Sequence, residues 1–180
     1  DDGLDSTSSL VASLLRSNKA LDEFQLYVPM SDAELINKHA QTLVDGLNEN
    51  RTLSKLGLNF LRPALHDLSE DKVAYAFSAP LFNVLQRNVS LKHVSLECRF
   101  KDVKLPEEIL FYLKLNRAGR GRLLETPLDA RAVWAETVIR GKDDTSTVYY
   151  FLTMNPSLLH SHRDYCGMWN AKTMLPSNQR

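Results

Sequence analysis

The residues best suited to bind a metal are His160, His162, Asp164 and Cys166, which lie within the seven-residue segment HSHRDYC. Structural zinc sites usually take paired ligands from two separate segments. The chain has no second Cys/His pair to complete such a site. We therefore interpret this segment as part of a polar tail, and the sequence predicts neither a metal site nor a cofactor.

A second group with chemical potential is the arginine-rich segment NRAGRGR, with Arg117, Arg120 and Arg122. Three guanidinium groups beside flexible glycines could bind phosphate or RNA. The glycines match neither a phosphate loop nor a dinucleotide fingerprint, however, and the arginines could instead be solvated or pair with Glu125 and neighbouring acids. The 22 basic and 22 acidic residues of the whole chain balance, so no overall charge favours nucleic acid or an anionic membrane.

The sequence gives little indication of catalysis. His39, His66 and His93 are isolated, and signatures of hydrolases, nucleotide-binding loops, zinc proteases and kinases are absent. We therefore expect a protein that is not an enzyme.

Two triplets of the N-glycosylation type, Asn50-Arg51-Thr52 and Asn88-Val89-Ser90, coincide with an internal repeat. The stretches LLRSNKALDEFQL (14–26), GLNENRTLSKLGL (46–58) and VLQRNVSLKHVSL share one frame of leucines around an asparagine, which is Asn18 in the first copy. That copy has no acceptor triplet and still keeps the asparagine. We therefore interpret the three asparagines as turn residues that satisfy free backbone groups at a helix end; glycosylation is the alternative for a secreted protein.

Each repeat predicts a helix, an asparagine turn and a short strand. The strand follows from the pattern L-x-x-L-x-L, and the helix before the second copy opens with a capping box of Ser31 and Glu34. Pro80 is expected to start a fresh helix. The segment ILFYLKLNRAGRGRLLE (109–125) predicts a fourth strand through Leu110, Leu113 and Leu115, with a helix over 107–116 as the alternative.

This frame resembles the leucine-rich repeat, in the long class typified by ribonuclease inhibitor, over roughly residues 6–116. The C-terminal part resembles that of leucine-rich-repeat proteins found in some algae. The resemblance implies a horseshoe with parallel strands on the concave side and helices on the convex side. The asparagine that the family carries late in each strand segment is replaced here by Pro29, Leu61 and Arg99.

The expected fold is therefore α/β, a short right-handed leucine-rich-repeat solenoid with a helical C-terminal cap. We expect a linker or frayed terminus over 1–9, the repeat array over 10–125, the cap over 126–160 and the polar tail over 161–180. Within the cap, one helix is predicted around Trp134, and a second is predicted between Asp144 and Pro156. The acidic, serine-rich start indicates a piece of a longer chain.

The side chains that alternate with the buried strand positions form the candidate binding surface. Mixed charges with aromatic and amide groups favour a protein partner over a phosphate backbone, so the expected function is a noncatalytic protein-interaction module. An RNA- or phosphate-binding module and a structural end piece of a larger receptor or scaffold are the alternatives. The predicted surface consists of Glu23, Gln25, Tyr27, Lys55, Gly57, Asn59, His93, Ser95, Glu97, Tyr112 and Lys114.

Cellular location is indicated only weakly. The two cysteines, Cys98 and Cys166, are too few for a disulfide scaffold and favour a reducing, cytoplasmic setting. No apolar run approaches the ~20 residues that a membrane helix needs.

Overall fold

The computed structural model describes residues 2–29, 33–61, 70–98, 101–156 and 158, and these residues form two compact units, one up to Gly121 and one from Arg122. Within them lie seven helices and four strands. They are α1 (Asp2–Ser17), β1 (Glu23–Pro29), α2 (Ala33–Glu49), β2 (Lys55–Leu61), α3 (Glu70–Arg87), β3 (His93–Cys98), β4 (Lys101–Asp102), α4 (Glu107–Ala118), α5 (Arg120–Leu124), α6 (Arg131–Arg140) and α7 (Thr145–Met154).

The first unit alternates helices and strands. Strands β1, β2 and β3 are parallel and lie in the sheet in their chain order, and β4 pairs antiparallel with β3. Parallel neighbours need a crossover connection, and α2 and α3 provide it. The helices pack side by side in the order α1, α2, α3, α4. The predicted α/β arrangement of one helix and one parallel strand per repeat is confirmed for these three strands.

The hydrophobic core lies between the helices and one face of the sheet. Alternate strand residues are buried there, as the spacing of the leucines predicts. The ring centroids of Phe60 on β2 and Phe77 on α3 are 5.2 Å apart, which ties the two layers together. Each fully buried side chain of this size contributes about 1.5–3 kcal/mol. The core includes Leu43, Leu47, Leu56, Leu58, Leu81, Leu85, Val94, Leu96 and Cys98.

Helix α3 runs through Pro80 without interruption, so the prediction that Pro80 starts a fresh helix is wrong. A proline inside a helix has no N–H for the carbonyl four residues earlier, here that of Ala76, and costs about 3 kcal/mol. Phe77 and Leu81 lie on either side of Pro80 and are buried in the core. Because both must stay on one face of a single helix, their burial offsets the lost hydrogen bond.

The predicted fourth strand is also wrong, because residues 107–118 form helix α4. The spacing of Leu110, Leu113 and Leu115 fits an alternating strand, but Ile109, Leu113 and Asn116 recur at helical spacing and are buried. Pro106 precedes the helix, a position that proline tolerates. After β3, the only strand among the described residues is the two-residue β4.

The second unit is helical over its described part. Helices α6 and α7 confirm both helices predicted there, and they pack against each other. The Asp144 side chain caps α7 by accepting hydrogen bonds from the backbone N–H groups of Ser146 and Thr147 at 3.0 and 3.3 Å. Trp134 is buried, and its Nε1–H donates to the carbonyl of Pro127 at 3.1 Å.

Helix α1 begins at Asp2 and therefore runs through the segment 1–9, for which the composition favoured a linker or frayed terminus. Among the helices of the described ranges, none combines the length and apolar character needed to span a lipid bilayer.

Candidate functional site

The asparagine turns fix the position of each strand. The Oδ1 atom of Asn50 accepts hydrogen bonds from the backbone N–H groups of Thr52 and Leu53 at 2.9 and 2.7 Å. Its Nδ2 donates to the carbonyl oxygens of Leu15 at 2.6 Å and Asn18 at 3.1 Å, both in the preceding repeat. One side chain thus closes its own turn and joins it to the end of the previous helix.

Asn88 repeats this arrangement one unit later. Its Oδ1 accepts from the N–H groups of Ser90 and Leu91 at 3.0 and 2.9 Å. Its Nδ2 donates to the carbonyls of Leu47 and Asn50, both at 2.8 Å. The prediction that these asparagines are turn residues at helix ends is confirmed, and each of them also bonds to the repeat before it.

The hydroxyl residues of the two triplets also belong to the turns. The Thr52 hydroxyl lies 3.4 Å from Asn50 Oδ1, and the Ser90 hydroxyl donates to Asn88 Oδ1 at 2.9 Å. Both asparagine side chains are fully buried, with 0% exposure, and their Nδ2 atoms already donate. The folded chain therefore offers neither nitrogen for attachment of a sugar.

The series ends with two different residues. Asn116 lies inside α4, and its Nδ2 donates to the carbonyls of Asn88 at 3.0 Å and Leu91 at 2.7 Å. Arg120 Nη2 donates to the carbonyl of Leu85 and, at 3.2 Å, to that of Asn88. The carbonyls of Leu85 and Asn88 correspond to the two that Asn88 itself binds in the previous repeat. Arg120 thus occupies the place of the next turn asparagine.

Gly119 makes this replacement possible. It ends α4 with φ of 111°, in the left-handed region that favours glycine. The chain can therefore turn sharply after Ala118 and direct Arg120 back towards α3. We call Asn116, Gly119 and Arg120 the C-terminal closure. The L-x-x-L-x-L-N pattern ending at Asn116 was a visible signal of this continuation, whereas the arginine cluster marked Arg120 for a different role, the binding of phosphate or RNA.

The three arginines of NRAGRGR lie in different environments. Arg120 is buried, with 1% exposure, and its guanidinium carbon is 4.9 Å from the centre of the Tyr112 ring. Arg122 pairs with Glu136 at 2.9 Å, and Arg117 is exposed. The Arg120 guanidinium therefore donates to backbone carbonyls inside the protein and is not accessible to a ligand in solvent.

Glu136 lies between two cations. The hydrogen bond from Arg122 is the main cause that holds the pKa of the Glu136 carboxyl below its ordinary value of 4.5, and the nearby charge of Arg140 adds to it. The Arg140 guanidinium is 2.6 Å from the other carboxylate oxygen. Because Glu136 is exposed, this is a surface ion pair of small energetic weight.

The candidate binding surface lies on the face of the sheet opposite the core. Its residues alternate with the buried ones along β1, β2 and β3, and the strand register aligns them in three rows. Most are exposed or half-buried as predicted, whereas Asn59, at 8% exposure between Tyr27 and Glu97, is buried. We call this surface the open sheet face: Glu23, Lys55 and His93; Gln25, Gly57 and Ser95; Tyr27, Asn59 and Glu97.

The three rows differ in chemistry. In the first, Lys55 Nζ lies 3.2 Å from Glu23 Oε2, an exposed pair that can rearrange at low cost. In the middle row, a Cβ on Gly57 would lie 3.2 Å from Gln25 Cγ, so the Gln25 side chain already lies close over the glycine. The third row presents Tyr27, which is 58% exposed.

Tyr112 and Lys114 do not belong to the open sheet face, because they lie on α4 and not on a strand. The Tyr112 ring is half-buried and packs edge-on against Phe82 of α3, with centroids 5.6 Å apart. Their assignment to the binding surface followed from the predicted fourth strand and is corrected with it.

Metal ligands do not gather in the part of the chain that the structure describes, where no three His, Cys, Asp or Glu side chains could hold an ion together. The segment with His160, His162, Asp164 and Cys166 lies outside that part. Cys98 is buried on β3.

Comparison of the chain with models of protein families, with curated proteins and with solved structures gives no match.

Proposed function

We propose that the first unit is a short solenoid of the leucine-rich-repeat type, similar to ribonuclease inhibitor, and that it binds a protein partner on its open sheet face without catalysis. The solenoid is supported by the recurring helix, asparagine turn and parallel strand. It is also supported by the sheet order, in which each strand lies beside its sequence neighbour.

The observation that carries the binding proposal is the open sheet face itself. The helices of this unit pack on the opposite side of the sheet, while Glu23, Lys55, His93 and Tyr27 are exposed together on this side. Charges of both signs around a tyrosine are typical of protein interfaces, where aromatic side chains contribute much of the affinity.

A pull-down from native cell extract tests this proposal. We expect the wild-type chain to recover a protein partner at low and moderate salt, and a Lys55→Glu, His93→Ala, Glu97→Lys variant to lose it at both. A matched control, Lys104→Glu with Glu107→Lys, changes exposed charges that are not among the residues of the open sheet face and should retain the partner. Recovery of the same protein by all three chains would contradict the proposal.

Tyr27 provides a sharper measurement once a partner is identified. An aromatic side chain that a partner buries commonly contributes a large part of the affinity, so we expect Tyr27→Ala to weaken binding about tenfold. Tyr75→Ala is the control, because Tyr75 is a still more exposed tyrosine, at 84%, and lies on α3.

RNA or phosphate binding through Arg117, Arg120 and Arg122 gains no support, because Arg120 is buried against backbone carbonyls. RNA recovered by both the wild type and the Lys55→Glu, His93→Ala, Glu97→Lys variant, and released by salt, would favour that function.

A structural end piece of a larger receptor or scaffold is the second candidate, favoured by the C-terminal closure. For location, we propose the cytoplasm, supported by the small number of cysteines in the chain and by the burial of the triplet asparagines.

A further inference from the structure

The first repeat is less buried than the two that follow it. Leu53, Leu56 and Leu58 of the second repeat are almost completely buried. Their counterparts in the first repeat, Leu21, Phe24 and Leu26, are only half-buried. The same apolar positions therefore lack part of their cover at the β1 side of the sheet.

Helix α1 shows which direction is uncovered. Gly46 of α2 lies against the preceding helix, since a Cβ there would be 2.9 Å from both Cα and O of Ala12. The position equivalent to Gly46 in α1 is Leu14, which is 46% exposed; Leu10, one turn earlier, is 67% exposed. These two leucines thus lie on the side of α1 where a preceding helix would pack.

The polar groups of the first turn also lack partners on the side of a preceding repeat, within the described part of the chain. Asn18 Oδ1 accepts from the N–H groups of Ala20 and Leu21, both at 2.9 Å, so its own turn is closed. In Asn50 and Asn88, Nδ2 donates to two carbonyls of the preceding repeat. No acceptor for Asn18 Nδ2 lies among the described residues.

The backbone N–H groups at the start of each strand likewise donate to the preceding repeat, except in the first repeat. The N–H groups of Ser54 and Lys55 donate to the carbonyl of Asp22 at 2.8 and 3.0 Å, and the equivalent pair before β3 donates to the carbonyl of Ser54. In the first repeat the equivalent donors are the N–H groups of Asp22 and Glu23. Strand β1 pairs only with β2 among the described strands, so these donors lie at a sheet edge.

We infer that this N-terminal edge, formed by Leu10, Leu14, Asn18 and strand β1, binds one further helix–strand unit of the same kind. The helix of that unit packs on Leu10 and Leu14, its last carbonyls accept from Asn18 Nδ2, and its strand lies parallel to β1. This inference rests on the solenoid arrangement proposed above, but not on the protein partner of the open sheet face.

A second copy of this chain is a poorer occupant. The carbonyls of Leu85 and Asn88, which would have to receive the Asn18 of another copy, already accept from Arg120 and Asn116. The C-terminal closure thus blocks head-to-tail stacking, while the N-terminal edge fits a unit that ends in an asparagine turn with free carbonyls.

The test adds such a unit from the chain itself. A second copy of residues 30–69, which carries α2, its asparagine turn and β2, is fused ahead of Asp1. We expect the melting temperature of the first unit to rise by about 5 °C. We also expect protection of the Asp22 and Glu23 amides against hydrogen exchange to increase roughly tenfold.

Asn18→Asp isolates the proposed hydrogen bonds, because aspartate keeps the oxygen that closes the turn and removes the Nδ2 donor. It should change the melting temperature little in the chain alone and lower it clearly in the fusion. The matched Asn50→Asp variant should lower it in both, since Asn50 already donates to a preceding repeat.

Two results would overturn the inference. One is a fusion with unchanged amide exchange at Asp22 and Glu23, in which Asn18→Asp has the same small effect as in the chain alone. The other is dimerisation of the unfused chain that Leu10→Glu abolishes, measured by sedimentation, because a second copy would then occupy the edge. Neither result depends on the pull-down, so failure of partner binding can be distinguished from failure of this inference.

Discussion

The two ends of the repeated region differ in whether their hydrogen-bonding groups have partners among the described residues. At the C-terminal end, the carbonyls of Leu85 in α3 and of Asn88 just after α3 accept from the buried Arg120. At the N-terminal edge, the Asn18 amide nitrogen and the first strand amides have no equivalent partner among the described residues. At the C-terminal end, Arg120 thus makes the two backward hydrogen bonds that Asn50 and Asn88 make earlier in the chain.

Substitution of the interior asparagines should cause the largest loss of stability, because each side chain hydrogen-bonds both to its own turn and to the preceding repeat. Asn88→Ala removes four hydrogen bonds to backbone and leaves two carbonyls and two N–H groups without partners. We expect the free energy of unfolding to fall by roughly 3–5 kcal/mol, measured by urea unfolding and circular dichroism. Asn83→Ala, on the exposed side of α3, is the control and should change stability by less than about 0.5 kcal/mol. Equal losses in the two variants would remove the asparagine turns as the main link between repeats.

Substitution in the C-terminal closure should cause the second-largest loss of stability, because Arg120 hydrogen-bonds to the preceding repeat and does not close a turn of its own. Arg120→Met keeps much of the side-chain volume but removes both donors, and we expect a loss of about 2–4 kcal/mol in the same unfolding assay. Arg117→Met changes an exposed arginine three residues earlier and should have almost no effect. If Arg120→Met were as stable as the wild type, the two ends would not differ in the way described.

Close packing of the helices should give a smaller effect. Gly46→Ala places a methyl group 2.9 Å from the backbone of Ala12, which cannot move without shifting α1. The expected loss is about 1–2 kcal/mol, because overpacking outweighs the helix propensity of alanine. Gly57→Ala is the informative control, since its methyl group would meet movable side chains of Gln25 and Ser95 at 3.2 and 3.4 Å. A loss at Gly57 larger than at Gly46 would contradict backbone contact as the cause.

Substitution in the Arg122–Glu136 pair should have the smallest effect on stability, because this pair is exposed whereas Arg120 is buried. The depressed pKa of Glu136 means that its contribution to stability is present above pH 4.5 and is lost as pH falls through the lower folded-state pKa. Arg122→Ala should return this pKa towards 4.5, and Arg140→Ala should do so less, as followed by NMR titration of the carboxyl carbon. An unchanged titration of Glu136 in Arg122→Ala would show that the hydrogen bond does not set the pKa.

The repeat could be predicted from the sequence because its signal is long-range and regular. Asn18, Asn50 and Asn88 share a frame of leucines, and that frame fixed the helices, the strands and the outward residues of β1 to β3. Local patterns were less reliable. Leu113 and Leu115 fit a strand and a helix equally well, and only the packing of α4 beside α3 decides between them.

Two features could not be predicted because they contradict residue preferences. Arginine is seldom fully buried, and the burial of Arg120 depends on carbonyls about 35 residues earlier in the chain. Proline inside a helix is unfavourable in isolation, and Pro80 is tolerated because the core fixes the helix on both sides of it. In both cases, tertiary contacts outweigh a local preference that is otherwise dependable.

The turn asparagines also impose an order of events on a chain that meets glycosylating enzymes. The nitrogen that would carry the sugar is the same Nδ2 that joins consecutive repeats. Folding and modification at Asn50 and Asn88 therefore exclude each other, and the faster process decides the fate of the molecule. A chain that folds first is protected at both positions, whereas a chain modified first cannot pack these nitrogens against the carbonyls of the preceding repeat.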